Sequence, residues 1–259
     1  MPASLSLETR ISPGAQAEAL GQDVWRLSIP AGPAGQYRCA QLDDHLMRPR
    51  RQFRWQAPVS LSLKARVSSQ CLPGTWGFGF WNDPFNFNLG AGGALRLLPA
   101  LPNTAWFFYA APPNYLSLRD DLPAQGLLAA TFRSLAWQPR KPAGRPSLVE
   151  AKRAPWPFRR ALNGLRWLGS WFVAQDASRL AVDPTDWHSY TVDCRDGGTV
   201  FRLDGNIILQ TKTSPLGRLG LVLWIDNQYA AFPPGGLLTF GTSPSPQPAW
   251  LELAEVKVN

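Results

Sequence analysis

Two short segments are the strongest candidates for a catalytic or binding site in this sequence. Each has a tryptophan close to carboxylate and amide side chains. The first reads Phe-Trp-Asn-Asp at 80–83 and the second reads Trp-Ile-Asp-Asn at 224–227. A pair of Asp side chains can form an acid/base couple or bind a cation. If the two strands are neighbours in one sheet, Asp83 and Asp226 would converge, and they are our candidate catalytic residues. The alternative is turn chemistry, because Asn and Asp bond to local backbone groups and Pro84 directly follows Asp83.

Aromatic side chains around these segments suggest stacking on a ligand. Aromatic faces suit both a sugar ring and an apolar metabolite, so we predict a carbohydrate or a small apolar molecule as the ligand. The predicted ligand-binding residues are Trp76, Trp81, Asn82, Trp106, Tyr109, Tyr115, Trp224, Asn227 and Tyr229. No Ser-His-Asp arrangement, phosphate loop or metal-ligand cluster is evident in the sequence. We therefore predict no cofactor and no metal, with a structural calcium ion as the open alternative.

The elements that would position these residues are short strands with two distinct faces. Residues 59–69 alternate apolar and polar side chains, which is typical of an antiparallel sheet with one buried face. In 74–82 the large aromatic residues share one face, while Gly77 and Gly79 share the other face with Trp81. Alternate glycines leave a shallow trough that either a facing side chain or a ligand can fill.

The segment 187–227 predicts two strands joined by a Gly-Gly turn, a short return and a third strand that ends in polar residues. In the third strand the leucines share one face, and Trp224 and Asp226 share the other. Further strand candidates are 25–29, 36–42, 94–98, 105–111, 127–133 and 250–258. Ten to twelve short strands without repeats predict an all-β fold, an antiparallel β-sandwich of jelly-roll type, in a single domain over residues 1–259.

The net charge of +8 is concentrated in residues 132–180, which hold ten basic and two acidic side chains. A basic insertion is predicted at about 134–180, and its part 156–175 has the periodicity of an amphipathic helix. This inserted helix either packs on the sandwich or acts as a lid or a contact for an anionic membrane surface or a partner. Nucleic acid is a weak candidate, because the segment lacks the interleaved aromatic residues of a nucleic-acid groove.

Cysteine usage and the N-terminus bear on the compartment. Cys39, Cys71 and Cys194 have no metal-ligand spacing and no even count, which argues against a disulfide framework or a zinc site. Cys39 and Cys194 lie in strand-like runs, so we expect small core residues there. No secretory pattern or apolar run of about 18 residues occurs, and we expect a cytoplasmic protein.

Three motifs in order resemble the concanavalin A-like lectin/glucanase superfamily, and most closely glycoside hydrolase family 16. They are GTWGFGFW at 74–81, WHSYTVDCRDGGTVFRLDG at 187–205 and the closing WLELAEVKVN. The resemblance covers about residues 60–258 and implies a β-sandwich with a substrate cleft. In that family a neighbouring strand carries Glu-x-Asp-x-x-Glu, which supplies the nucleophile and the general acid/base.

The strand at the matching place, residues 103–111, has no carboxylate, and no Glu-x-Asp-x-x-Glu occurs in the chain. Retaining hydrolysis needs two carboxyl groups about 5 Å apart, so the family's catalytic residues have no counterpart here. Three hypotheses follow. The first is a non-hydrolytic binding module with an aromatic cleft floor. The second is an enzyme of divergent chemistry that uses Asp83 and Asp226, and the third is a membrane-surface or partner-binding protein that acts through the basic helix.

Overall fold

The computed structural model describes residues 5–46, 48–84, 100–134, 172–234 and 239–259, and these form sixteen strands and one short 3₁₀ helix, Arg50–Gln52. The strands are β1 Glu8–Ile11, β2 Gln16–Gly21, β3 Val24–Ile29, β4 Cys39–Asp43, β5 Val59–Val67, β6 Thr75–Trp81, β7 Thr104–Ala110, β8 Gly126–Ser134, β9 Val173–Arg179, β10 His188–Arg195, β11 Gly198–Leu203, β12 Asn206–Thr211, β13 Gly220–Asp226, β14 Gln228–Ala231, β15 Thr239–Thr242 and β16 Ala249–Val258.

Fourteen of these strands form two seven-stranded sheets that face each other. The front sheet has the order β1-β4-β13-β6-β7-β8-β9 and the back sheet the order β12-β11-β10-β5-β16-β3-β2, while β14 and β15 form a small separate pair. Neighbouring strands in both sheets are antiparallel. The predicted all-β antiparallel sandwich is therefore confirmed, and its arrangement is consistent with a jelly roll.

The core lies between the two sheets, because each strand turns alternate apolar side chains inward. In β5 the buried and half-buried residues alternate without exception along Val59–Val67, as the sequence predicts. The front sheet contributes the aromatic residues of β6 and β7, and Phe78 and Phe107 each meet Tyr190 of the back sheet with ring centroids 5.0 Å apart. Edge-to-face aromatic contacts of this kind join the two layers.

The cysteines follow the sequence expectation. Cys39 and Cys194 are buried core residues and Cys71 is exposed, and all three are free thiols. Burial raises the pKa of Cys39 and of Cys194 to about 12, so both stay neutral thiols.

A hydrogen-bonded histidine fixes the turn of the β10–β12 meander. The His188 ring lies between two acceptors, with Nδ1 2.7 Å from Asp204 Oδ2 and Nε2 3.0 Å from the Asp183 carbonyl oxygen. The second oxygen of Asp204 accepts the Ser189 N–H at 2.8 Å. His188 thus has a structural role, since it ties the turn after β11 to the start of β10.

The structure corrects the predicted C-terminal end of the amphipathic helix. Residues 156–171 of the predicted amphipathic helix lie outside the described residues, and Val173 to Gln175 begin strand β9 rather than end a helix. Strand β9 is extended and pairs with β8, the strand that precedes the predicted insertion in sequence. The described part of residues 1–23 forms β1 and β2, which are edge strands of the front and back sheets. Within the described ranges, helices long and apolar enough to cross a membrane are absent.

We predict that Asp204→Asn destabilises the protein by about 1 kcal/mol at pH 7. Burial alone would raise the pKa of Asp204, but hydrogen bonds from the Ser189 N–H and from His188 outweigh it and hold the pKa below its ordinary value. A lowered native pKa adds stability above the unfolded pKa of about 3.9, and this stability is lost as pH falls through the native value. Asp204 has φ 49°, which Asn also adopts readily, so the backbone is left unstrained.

Urea unfolding of both proteins at pH 7 and at pH 3 measures this difference. The gap between wild type and variant should be present at pH 7 and shrink at pH 3. A gap that stays constant between the two pH values contradicts the role of the carboxylate.

Candidate functional site

A groove on the outer face of the front sheet brings together side chains from its central strands. It encloses about 900 Å³, including open solvent. The residues that line it are Arg10, Tyr37, Gln41, Thr75, Trp81, Asp83, Trp106, Phe108, Asn114, Leu116, Trp224, Asp226, Gln228 and Ala230. Six of them arise from the period-two alternation of β13, β6 and β7, whose other faces are buried in the sandwich core, namely Thr75, Trp81, Trp106, Phe108, Trp224 and Asp226.

Three tryptophans in mutual contact form the aromatic part of the groove. Trp81 and Trp224 lie almost parallel, with ring centroids 6.4 Å apart and planes inclined by 6°. Trp106 lies against both, at 5.5 Å from Trp224 and 6.2 Å from Trp81. Offset and tilted contacts at these distances are the favoured geometries of aromatic pairs, so the three rings hold one another in place.

Two glycines allow this arrangement. A Cβ atom at Gly77 would lie 2.5 Å from the Phe107 carbonyl oxygen and 2.8 Å from Cη2 of Trp224. A Cβ atom at Gly79 would lie 2.4 Å from the Ala105 carbonyl oxygen and 2.6 Å from Cβ of Trp106. The trough predicted from the alternate glycines is therefore filled by facing side chains, and the glycines let the indole rings lie directly on the sheet.

The indole N–H groups of the three tryptophans differ in what they bond to. Trp81 Nε1 donates to His45 Nε2 at 3.0 Å, and His45 Nδ1 lies 3.1 Å from the Leu221 carbonyl oxygen. Trp224 Nε1 donates to Thr75 Oγ1 at 2.9 Å. Trp106 is only 4% exposed, and in the described part of the chain its Nε1 has no acceptor. Two rings are thus oriented by the protein, and the third has a buried donor to offer.

Asp226 presents a buried carboxyl group at the end of β13. Its Oδ1 accepts the Thr75 hydroxyl at 2.8 Å and the Gln228 N–H at 3.2 Å. Burial raises the pKa of Asp226 to about 7, although the hydrogen bonds from Thr75 and Gln228 favour the ionised form. The carboxyl group therefore changes its charge near neutral pH, as general acids and bases often do.

The groups around Asp226 keep their charge state at that pH. Burial raises the pKa of Tyr37 well above its ordinary value, and the nearby Cys39 and Asp226 raise it further. Burial, with Asp226 nearby, also raises the pKa of the Cys39 thiol. Arg10 is the cation near Tyr37 and Cys39, and its positive charge lowers the pKa of both.

The predicted pairing of Asp83 with Asp226 is wrong, because the two strands run in opposite directions. The strands β6 and β13 are neighbours, as expected, but Trp81 pairs with Gly220 and Thr75 pairs with Asp226. The six residue steps between these pairs, at about 3.4 Å each, place Trp81, the last residue of β6 before Asp83, about 20 Å from Asp226 along the strands. The two carboxyl groups line opposite ends of the groove and cannot form the 5–10 Å couple of a glycosidase.

Hydrogen bonds fix the end of the groove at Asp83. Arg50 Nε donates to the Asn82 carbonyl oxygen at 2.8 Å, and Arg50 Nη2 donates to the Asp83 carbonyl oxygen at 2.6 Å. Asp83 itself has φ 48°, a left-handed conformation that Asp tolerates better than most residues. Its buried side chain lines the groove, so a role for Asp83 alone in ligand contact stays a prediction.

Of the predicted ligand-binding residues, Trp81, Trp106 and Trp224 line the groove. Trp76 and Tyr109 do not, since they are cross-strand partners on the opposite face, stacked at 5.9 Å and packed into the sandwich core. Their prediction as part of the cleft floor was wrong, because Tyr109 alternates with Trp106 and Phe108 along β7.

The two predicted asparagines bond to backbone groups of segments distant in sequence, rather than to the local turn that the alternative proposed. Asn82 accepts the Asn103 N–H at 2.9 Å and donates to the Leu101 carbonyl oxygen at 2.9 Å. Asn227 is fully buried, with Oδ1 accepting the Arg38 N–H and Nδ2 donating to two carbonyl oxygens. With both amide protons used, Asn227 has none to donate to a ligand.

Tyr115 and Tyr229 lie near the groove but not among its lining residues. Tyr115 forms an isolated bridge with Ala231, and Tyr229 packs over Gly241 of β15. Both tyrosines therefore belong to the segments that connect the small β14–β15 pair to the front sheet.

Sequence reasoning missed the polar side of the groove, namely Arg10, Tyr37, Gln41, Thr75, Asn114 and Gln228. Arg10 and Gln41 are cross-strand partners on β1 and β4, which only the sheet order reveals. In the described ranges, groups of three or more His, Cys, Asp or Glu side chains that could hold a metal ion are absent.

The fold and the groove define a class: an antiparallel two-sheet sandwich with an aromatic groove on its outer front face. No family model matches the chain, and no curated protein matches it. A Bacteroides ovatus mixed-linkage glucan GH16 in complex with a product is similar at 8% identity and TM-score 0.49, covering 98% of this chain and 94% of that one.

Two further solved structures are similar. One is the kappa-carrageenase of Pseudoalteromonas carrageenovora with an oligotetrasaccharide of kappa-carrageenan, at 10% identity and TM-score 0.49, covering 95% of this chain and 82% of that one. The other is a glycoside hydrolase family protein from Mycobacterium thermorestibile, at 12% identity and TM-score 0.47, covering 91% of this chain and 76% of that one. At these identities and TM-scores, function has to be argued from the groove itself.

We predict that Gly77→Ala destabilises the protein by about 2 kcal/mol and disturbs the tryptophan cluster. The added methyl group meets the rigid Phe107 carbonyl oxygen and the Trp224 ring, and both must shift. Thermal unfolding and the near-UV circular dichroism of the indole rings measure the two effects. Gly197→Ala is the matched control, because nothing lies within 4 Å of its added Cβ. Equal stability and unchanged spectra for both variants contradict the close approach described above.

Proposed function

We propose that this protein binds carbohydrate in the groove of the front sheet. The observation that carries the proposal is the cluster of Trp81, Trp106 and Trp224 in the groove. Polar side chains line the rest of the same groove. Sugar rings combine an apolar face with a rim of hydroxyl groups, and this groove offers an aromatic surface beside hydrogen-bonding groups. The two indoles held by His45 and Thr75 are already oriented, so little ordering is needed on binding.

The polar groups favour a carbohydrate over a purely apolar metabolite. Asn114 is buried and uses both amide protons and its oxygen on backbone groups of the protein. Gln41 and Gln228 line the groove together with Arg10 and two carboxyl groups. An apolar ligand would remove these groups from water without replacing their hydrogen bonds, which costs free energy for each group. A polyhydroxylated ligand replaces those bonds.

The proposal does not include hydrolysis by family 16 chemistry. Strand β7 presents Trp106, Phe108 and Ala110 to the groove side, where a carboxylate pair would have to stand. Asp83 and Asp226 lie at opposite ends of the groove, too far apart to act together on one glycosidic bond.

An enzyme of another chemistry is the second candidate function. The single observation in its favour is Asp226, a buried groove carboxyl with a pKa of about 7, which suits a general acid or base. The membrane-surface hypothesis concerns residues 156–175, most of which lie outside the described residues, and it stays a prediction, as does the cytoplasmic location.

We predict that Trp81→Ala weakens glycan binding at least tenfold, since a large aromatic anchor of an interface typically contributes this much. Isothermal titration calorimetry with laminaritetraose, cellotetraose, mannotetraose, xylotetraose and an anionic tetragalacturonate measures it. Trp187→Ala is the control, because Trp187 is an exposed tryptophan that packs on Arg66, a residue of the back sheet. Wild-type protein that binds no sugar in this panel, or equal losses in the two variants, contradicts the proposal.

We further predict that laminarin and related β-glucans are bound without being cleaved, because a carboxylate pair at hydrolytic distance is lacking in the groove that the structure describes. Reducing-end release over a day of incubation measures cleavage. Release that depends on Asp226 and is lost in Asp226→Asn would favour the second candidate. Release that survives this substitution would contradict both candidates.

A further inference from the structure

Trp106 leaves an unsatisfied donor in the groove. Its ring contacts four other aromatic side chains, which are Trp81, Phe108, Phe132 and Trp224. The residue is more than nine-tenths buried, yet within the described ranges its Nε1–H finds no acceptor. A buried donor without a partner costs about 1–3 kcal/mol, and buried indole N–H groups normally find one. The ligand of the groove is the natural source of the missing acceptor.

Asp226 offers the complementary group. Trp224 Nε1 donates to Thr75 Oγ1, and the Thr75 hydroxyl donates in turn to Asp226 Oδ1. The protein donors to this carboxyl group are the Thr75 hydroxyl and the Gln228 N–H, which bond to Oδ1, and the Thr75 backbone N–H. The residue lines the groove, where its carboxyl group can accept further hydrogen bonds from a ligand. A chain of hydrogen bonds thus ties the carboxyl group to the indole of the aromatic cluster.

We propose that Trp106 and Asp226 are the two polar anchors of a neutral glycan, with Trp106 Nε1–H donating to a sugar oxygen and the ionised Asp226 accepting sugar hydroxyl groups. This inference rests on the proposed function and names the substrate class within it. Hydrogen bonds from hydroxyl groups to a carboxylate are charge-assisted and about twice as strong as neutral ones.

The charges in the groove favour a neutral glycan over an anionic one. Carboxyl groups stand at both ends, at Asp83 and Asp226, and Arg10 is the cation among the lining residues. A uronate or sulfated sugar placed against Asp226 would bring like charges together in a partly desolvated site, which is unfavourable.

Asp226 also makes the affinity depend on pH. The titratable and charged groups that face it are Arg10 on β1, Tyr37 just before β4 and Cys39 on β4, while β6 and β14 supply the neutral Thr75 and Gln228. Tyr37 and Cys39 have raised pKa values and stay neutral below pH 9. With a pKa of about 7, about a tenth of Asp226 is ionised at pH 6 and about nine-tenths at pH 8.

Calorimetric titration at pH 6 and pH 8 tests the inference with the neutral tetrasaccharide that binds best among laminaritetraose, cellotetraose, mannotetraose and xylotetraose. Wild-type protein should bind about tenfold more tightly at pH 8, because the ionised form is the competent one. Asp226→Asn keeps the Oδ1 acceptor for Thr75 and Gln228 but cannot ionise, so its affinity should be low and independent of pH. Asp193→Asn on the back sheet removes a carboxylate outside the groove and should keep the wild-type pH dependence.

Trp106→Phe tests the other anchor, since it keeps an aromatic ring and removes the donor. We expect weaker binding by at least fivefold at both pH values. Thermal unfolding of each variant shows whether it is folded under the conditions of the titration.

The outcomes separate the inference from the proposed function. If neither neutral nor anionic tetrasaccharides bind at either pH, the proposed function fails. If a sugar binds but its affinity is the same at pH 6 and pH 8, falls with rising pH, or keeps its pH dependence in Asp226→Asn, the inference fails while the proposed function stands. If tetragalacturonate binds and the neutral tetrasaccharides do not, the inference of a neutral glycan fails while the proposed function stands.

Discussion

The antiparallel pairing of β6 with β13, at the centre of the front sheet, is the constraint on which the site depends. Its register sets Gly77 opposite Trp224 and Gly79 opposite Val222. Because the glycines have no side chain, the indoles of Trp224 and Trp106 lie directly on the sheet and meet the indole of Trp81. The same pairing sends the C-terminal ends of the two strands in opposite directions, which separates Asp83 from Asp226. Together with the pairing of β6 and β7, which sets Gly79 opposite Trp106, this register builds the aromatic cluster, and it also rules out a carboxylate couple.

Some polar groups of the groove have hydrogen-bond partners within the described part of the protein, and others do not. Trp81 and Trp224 are oriented by His45 and Thr75. Trp106 keeps an unpaired N–H, and Asp226 keeps a carboxyl group whose charge changes near neutrality. Free energy is lost where such groups stay buried without partners, so unsatisfied groups of this kind are usual at functional sites rather than in a passive core. These groups support the proposed carbohydrate ligand, and β7 presents aromatic side chains to the groove side rather than the carboxylates of a retaining hydrolase.

The alternation of side chains allowed much of the fold to be predicted from the sequence. Period two placed Phe78 and Phe80 in the core and Trp81 on the outer face, and it separated Trp224 from its leucine neighbours. The same rule, applied to β7, would have removed Tyr109 from the predicted floor. The relative direction of the strands and their order in the sheet cannot be predicted from the local sequence pattern, because contacts between distant segments decide which strands pair. For this reason Arg10 and Gln41, cross-strand partners on β1 and β4, were not recognised, and the two aspartates were wrongly expected to meet.

A crystal structure of the protein grown with the neutral tetrasaccharide that it binds best would locate the ligand. We expect a sugar ring to lie against the indoles of Trp81 and Trp224, with a sugar hydroxyl within hydrogen-bonding distance of the Asp226 carboxyl group and a sugar oxygen near Trp106 Nε1. A tetrasaccharide bound elsewhere on the protein, with the groove of the front sheet holding only solvent, would contradict the proposed function.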